Sequence, residues 1–214
     1  MNTASESKPA LSLSALHEVK LSPAYQAIYN QVAPGCAGPE PWRQFKLAAT
    51  HQLLALTQVS GRMVIQFLDL AAALRAVFLL RVPVPCRRGG EGPLLIEPSA
   101  QLALTYRQEA LTMPQPGYSF IEILAPREVH HPNVAPSNLP PGAQVLCLGP
   151  SLKGIKIVDL VLMAYGAISL QSVQFSLTDP AGLLNPIAAM SLQANCAAIP
   201  LTREPFLIRE RKNP

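Results

Sequence analysis

Cys147 sits between Leu146 and Leu148, a proline-rich loop after the run His130-His131-Pro132-Asn133-Val134. These side-chain types suit acyl chemistry. A thiolate is a strong nucleophile, an amide can donate a hydrogen bond to a developing oxyanion, and a histidine can move a proton or brace a turn. Proline fixes its own φ and drives the preceding residue out of the helical region, so His131-Pro132-Asn133 reads as a fixed turn. Asn133 either donates outward or braces that turn from within. A cysteine among aliphatic residues is also consistent with plain core filling, because free cysteine is among the most buried residue types.

The order of these and neighbouring segments resembles the ubiquitin-conjugating enzyme family over roughly residues 75–195. His131-Pro132-Asn133-Val134 followed by Val145-Leu146-Cys147-Leu148 is similar to its His-Pro-Asn turn and thioester-forming cysteine. Upstream, Gln101-Leu102-Ala103-Leu104-Thr105-Tyr106, then Pro114-Gln115-Pro116-Gly117 and Phe120-Ile121-Glu122-Ile123 resemble the family's strand, proline-rich bend and next strand. Downstream, residues 157–170 resemble its buried helix, and Leu177-Thr178-Asp179-Pro180 with Asn185-Pro186 the segment after it. The resemblance implies an α+β fold, an antiparallel meander sheet with an N-terminal helix and C-terminal helices. It also implies an acyltransferase that takes a ubiquitin-like modifier from an adenylating activating enzyme as a thioester on Cys147 and passes it to an amine acceptor. Asn133 is then assigned to the carbonyl oxygen or to bracing the loop. His131 holds the turn by hydrogen bonds, and His130 is given no role.

The chain departs from that pattern in three places. Sixteen positions separate His131 from Cys147, a longer interval than the family's, and the surplus is Ala135-Pro136-Ser137-Asn138-Leu139-Pro140-Pro141-Gly142. That puts the Asn133-to-Cys147 distance in question and suggests a longer gate. The loop Ala181-Gly182-Leu183-Leu184-Asn185 carries no acid to orient an incoming lysine, leaving Asn185 as the nearest polar candidate. Gly149-Pro150-Ser151-Leu152-Lys153 replaces the family's Trp-Ser-Pro-like segment. Such divergence points to a prokaryotic ubiquitin-like conjugation system. Two other readings stay open: the same fold as a non-catalytic binding module, and a cysteine hydrolase using His130 or His131 as base.

A chain of 214 residues with 49 % apolar composition suggests one domain, or one with a decorated terminus, and is long enough for a sizeable core. Seventeen basic against thirteen acidic residues give a net charge of +4, without a basic stripe for nucleic acid. Arg87-Arg88 and Arg209-Glu210-Arg211-Lys212 read as solvated surface. The four cysteines, Cys36, Cys86, Cys147 and Cys196, form no Cys-x-x-Cys pair, and the four histidines complete no metal spacing; no metal or cofactor is expected. The polar start, Met1 to Pro9, and the free thiols suggest a reducing cytoplasm, and charges interrupt the apolar windows 63–80 and 155–170, so no membrane span is expected.

The elements that must position the cysteine are legible by period. Residues 1–41 read as a partly ordered extension with a short helix near 23–31, and the resemblance implies that 42–214 is a conjugating-enzyme-like catalytic domain. Pro41 and the spacing of Phe45, Ala49, Leu53 and Leu56 predict a helix over 42–58, with Arg43 and Lys46 near its start. In the conjugating family such cations meet the activating enzyme; as a bare sequence they read as solvated. Strands are expected at 63–68 and 76–84, although 63–80 also fits a buried helix. Alternation over 101–107 puts Leu102, Leu104 and Tyr106 on one face of a half-buried strand, and 118–124 forms the next. Helices are predicted at 153–170, with Lys156 and Asp159 paired, and at 186–192.

Overall fold

A computed structural model describes residues 13–90, 92–136, 143–149, 152–173, 175, 183–195 and 199–207. The expectations for residues 137–142, Leu177-Thr178-Asp179-Pro180, Ala181-Gly182, Cys196 and Arg209 to Lys212 lie outside them.

The fold is α+β. Two helices come first, α1 (Pro23–Val32) and α2 (Glu40–Ser60). Seven strands follow: β1 (Met63–Asp69), β2 (Leu74–Leu80), β3 (Val84–Cys86), β4 (Leu95–Glu97), β5 (Ala100–Tyr106), β6 (Ile121–Ala125) and β7 (Gln144–Leu146). Two helices close the chain, α3 (Ile157–Ile168) and α4 (Pro186–Ala194). Strands β1-β2-β5-β6-β7 form one antiparallel sheet in that order, and β3 pairs β4 in a separate ribbon.

Period-2 patterning builds the sheet. Leu74, Ala76, Phe78 and Leu80 of β2 and Ala100, Leu102, Leu104 and Tyr106 of β5 are buried, while the residues between them are not. Strand β1 breaks that rhythm because the register shifts between Ile65 and Phe67. The extra residue lets Met63 and Leu68, five positions apart, both point inward. This bulge is why 63–80 also read as a helix by period. The strand expected over 76–84 divides instead: β2 stops at Leu80, and Val84 begins the small ribbon.

Helix α2 lies on the inner face of the sheet with Leu53, Leu54 and Leu56 fully buried, and it ends at Gly61, whose φ of 62° supplies the left-handed cap. Tyr106 meets Trp42 and Phe45 of α2 and Phe120 before β6, ring centroids 5.3–6.4 Å apart, and its hydroxyl donates to the Ile155 carbonyl at 2.9 Å. The expected boundary at 41/42 is not marked by a break in packing: Leu16, Leu21 and Cys36 enter the same core. Helix α3 begins at Ile157, and Lys156 is its N-cap residue, outside the first turn. Among the described residues the ion pairs are His17–Glu18, Arg43–Glu40 and Arg62–Glu204, so the expected Lys156–Asp159 pair is not formed. No described helix is long and apolar enough to cross a membrane.

Lys46 corrects the expectation of a solvated or partner-facing cation. It is fully buried, and its Nζ donates to the carbonyls of Ala37 (2.6 Å), Ala71 (2.7 Å) and Leu70 while lying 5.4 Å from the Trp42 ring centroid. The ammonium thus ties α2 to the turn after β1 and to the segment before α2, with all three protons used. Arg43 stays at the surface, paired with Glu40 at 3.1 Å. Replacing Lys46 by Met strands these carbonyls, so Lys46→Met is expected to lower stability by at least about 2 kcal/mol in urea unfolding, whereas Arg43→Met stays within about 0.5 kcal/mol.

Candidate functional site

After β6 the chain turns and runs back beside itself. Val129 bridges Cys86, and the His130 N–H donates to the Pro85 carbonyl at 2.8 Å. The turn 131–134 then closes through the Val134 N–H on the His131 carbonyl, 3.1 Å. Beyond it the chain pairs with β7 and the residue that follows: Ala135 N–H donates to Val145 O at 3.0 Å, and Cys147 N–H to Asn133 O at 2.8 Å. Val134 bridges Leu146 between them. An antiparallel ladder therefore sets Cys147 opposite Asn133, whatever the length of the connection between 136 and 143. The extra residues there leave the two site residues in contact.

Gln144, which the sequence reading passed over, anchors this ladder. It is 4 % exposed; its Oε1 accepts the Val129 N–H at 2.8 Å and its Nε2 donates to the carbonyls of Pro126 (2.8 Å) and Ile123 (3.3 Å). A glutamine in an otherwise apolar strand was the available signal, since a buried amide must find partners.

His131 is fully buried. Its Nδ1 accepts the Asn133 N–H at 3.0 Å, and its Nε2 lies 2.8 Å from the Ala167 carbonyl of α3. A main-chain N–H can only donate and a carbonyl only accept, so these partners select the neutral Nε2–H tautomer. Both ring nitrogens are taken, and neither serves Cys147. Burial pushes the His131 pKa down to about 4, partly opposed by the Ala167 hydrogen bond and assisted by the neighbouring His130. His130 is 6 % exposed, its Nε2 has no hydrogen-bond partner among the described residues, and burial with the nearby Arg87 guanidinium lowers its pKa as well.

Asn185 joins the turn to α4. The N–H groups of Leu184 and Asn185 both donate to the Pro132 carbonyl at 2.8 Å, and the Asn185 Oδ1 caps α4 by accepting from Ala188 N–H at 3.0 Å. That oxygen is a helix cap, and Asn185 is not among the described residues lining the cleft beside Cys147.

Cys147 is 4 % exposed and stands outside the apolar core cluster. Its Sγ–H donates to Gly149 O at 3.4 Å. The thiol borders an open cleft of about 540 Å³. Asn133 and residues 147–149 line it together with Leu162, Met163, Gly166 and Ala167 of α3, Ser172 and Val173. Gly117, read from sequence only as part of a bend, holds that backbone in place. Its N–H donates to Gly149 O at 3.2 Å, and a Cβ on it would overlap the Gly149 carbonyl and lie 2.6 Å from the Gly149 nitrogen. Only glycine permits this approach. Among the described residues no group of three or more His, Cys, Asp or Glu is gathered to hold a metal.

Comparison of the chain with protein-family models, curated proteins and solved structures gives no match.

Two outcomes follow. Folded His131 stays neutral to about pH 4, whereas in the unfolded chain it takes up a proton below about 6.5. Stability is therefore unaffected above pH 6.5 and falls as pH drops from 6.5 to 4, by about 3 kcal/mol from this residue. Urea midpoints across that range should fall in wild type and fall less steeply in His131→Phe, where the buried His130 still contributes. Gly117→Ala forces the Gly149 backbone aside and is expected to lose about 1–3 kcal/mol while moving the backbone amide NMR shifts of residues 147–149.

Proposed function

We propose that this chain is a divergent ubiquitin-like protein conjugating enzyme with the conjugating-enzyme fold. The observation that carries the reading is the 2.8 Å bond from Cys147 N–H to Asn133 O, which sets a thiol and an amide side chain side by side at a cleft. The order of parts supports it too: a helix, an antiparallel meander, a His-Pro-Asn turn, the cysteine, then two helices.

In this mechanism the Cys147 thiolate attacks the modifier's C-terminal carbonyl, held as a thioester on an activating enzyme. The new C–S bond forms, the old one breaks, and the activating enzyme's thiolate departs. Exchange between thioesters is close to isoenergetic, so reach and geometry matter more than an unusual thiol. In the second step an amine attacks the Cys147 thioester, charge builds on the carbonyl oxygen, and the Asn133 amide donates to it. Collapse forms the amide bond, and the Cys147 sulfur leaves with the amine's proton. Asn133 meets the carbonyl, while His131 keeps the Asn133 main chain in place from behind.

One observation favours the second reading, a non-catalytic binding module. At 4 % exposure Cys147 presents little of itself, as a packed thiol would. A hydrolase reading lacks support, because His131 has both nitrogens engaged and the described cleft lining contains no histidine.

With the cognate activating enzyme, modifier and ATP, wild type should give an adduct that thiol removes; Cys147→Ala should give none, and Cys147→Ser a thiol-resistant ester. Asn133→Ala should still charge but discharge to an amine about 100-fold more slowly. No adduct in wild type favours the binding module.

A further inference from the structure

Gly166 sits in the closing turns of α3, where glycine is a poor choice. It has more backbone freedom to lose on folding than any other residue, and alanine is the better helix former. The surrounding packing does not ask for it. Gly166 is not among the residues with positive φ, and among the described residues a Cβ on it would have one neighbour within 4 Å, the Ser172 Cβ at 3.9 Å, an ordinary contact. Its carbonyl accepts the N–H groups of Gln171 (2.9 Å) and Ser172 (3.0 Å), which any residue's carbonyl would do. What the missing side chain leaves is room in the cleft. Gly166 and Ser172 both line it, and Leu162, Met163 and Ala167 stand on the same face of α3.

We propose that Gly166 is a specificity-determining residue for acyl transfer to Cys147. It lets the acyl chain run against the bare backbone of α3, and so admits chains unbranched next to the reacting carbonyl over those carrying a bulky side chain there. The inference rests on Cys147 being an acyl acceptor, and it adds the residue that sets the width of the approach.

The test uses the full chain and two small thioesters of mercaptoethanesulfonate, one of N-acetylglycine and one of N-acetylvaline, read by intact mass and peptide mapping. In each, the Cys147 thiolate attacks the carbonyl carbon, its C–S bond forms as the bond to mercaptoethanesulfonate breaks, and that thiolate leaves with the proton Cys147 gave up. Wild type should take the glycyl group at least about tenfold faster than the valyl group. Gly166→Ala should raise the Tm by about 2 °C yet slow glycyl transfer about tenfold, and Gly166→Leu should stop both transfers. A gain in Tm with unchanged transfer rates would overturn the inference alone, as would a loss of Tm and rate together, which would mark Gly166 as a packing residue. Absence of Cys147 acylation by either thioester in wild type would overturn it together with the reading on which it rests.

Discussion

The pairing of residues 133–135 with 145–147 is the constraint on which the site depends. Two main-chain hydrogen bonds, Cys147 to Asn133 and Ala135 to Val145, and the Val134–Leu146 bridge between them turn two distant segments into one short ladder. Register in such a ladder leaves little latitude: a slip of one residue would exchange the faces on which Cys147 and its neighbours point. Everything around it limits that slip. Gln144 fastens β7 to the turn after β6, Gly117 seats the Gly149 backbone, and Pro132 takes two N–H groups from the start of α4.

His131 is the interior pin of this arrangement. By bridging the Asn133 N–H and the Ala167 carbonyl, it links the turn to helix α3, which also lines the cleft. Two parts of the cleft lining are thus fixed relative to each other through one neutral imidazole. The same burial that makes it a good brace makes it a poor base. Arg62 secures the same C-terminal end of that helix: its guanidinium pairs with Glu204 and lies 5.7 Å from the Tyr165 ring, while Phe206 packs edge-on to the same ring.

Much of this was legible in the residues. The clean alternation of 101–107 gave β5 its buried face, and Pro41 with the apolar spacing gave α2 its start. His131 as a brace was what the family resemblance implied, with Pro132 and the turn it fixes in its favour. What was not legible depended on partners far away in sequence. Lys46 looked like a surface cation because nothing local announces three carbonyls from Ala37, Leu70 and Ala71. The Gln66 bulge concealed the strand period of β1. Gly117 looked like turn chemistry, although what fixes it is a backbone more than thirty positions on. The length of the 135–142 loop threw doubt on the Asn133–Cys147 distance because sequence spacing measures the loop, whereas the ladder sets the distance.

The most direct measurement is amide hydrogen exchange of the intact chain, resolved by NMR at Cys147 and Ala135. If the ladder is the rigid base of the site, these two amides exchange on the timescale of the buried sheet amides of Leu102 and Leu104. Exchange of Cys147 and Ala135 as fast as exposed loop amides, with the sheet still protected, would contradict it.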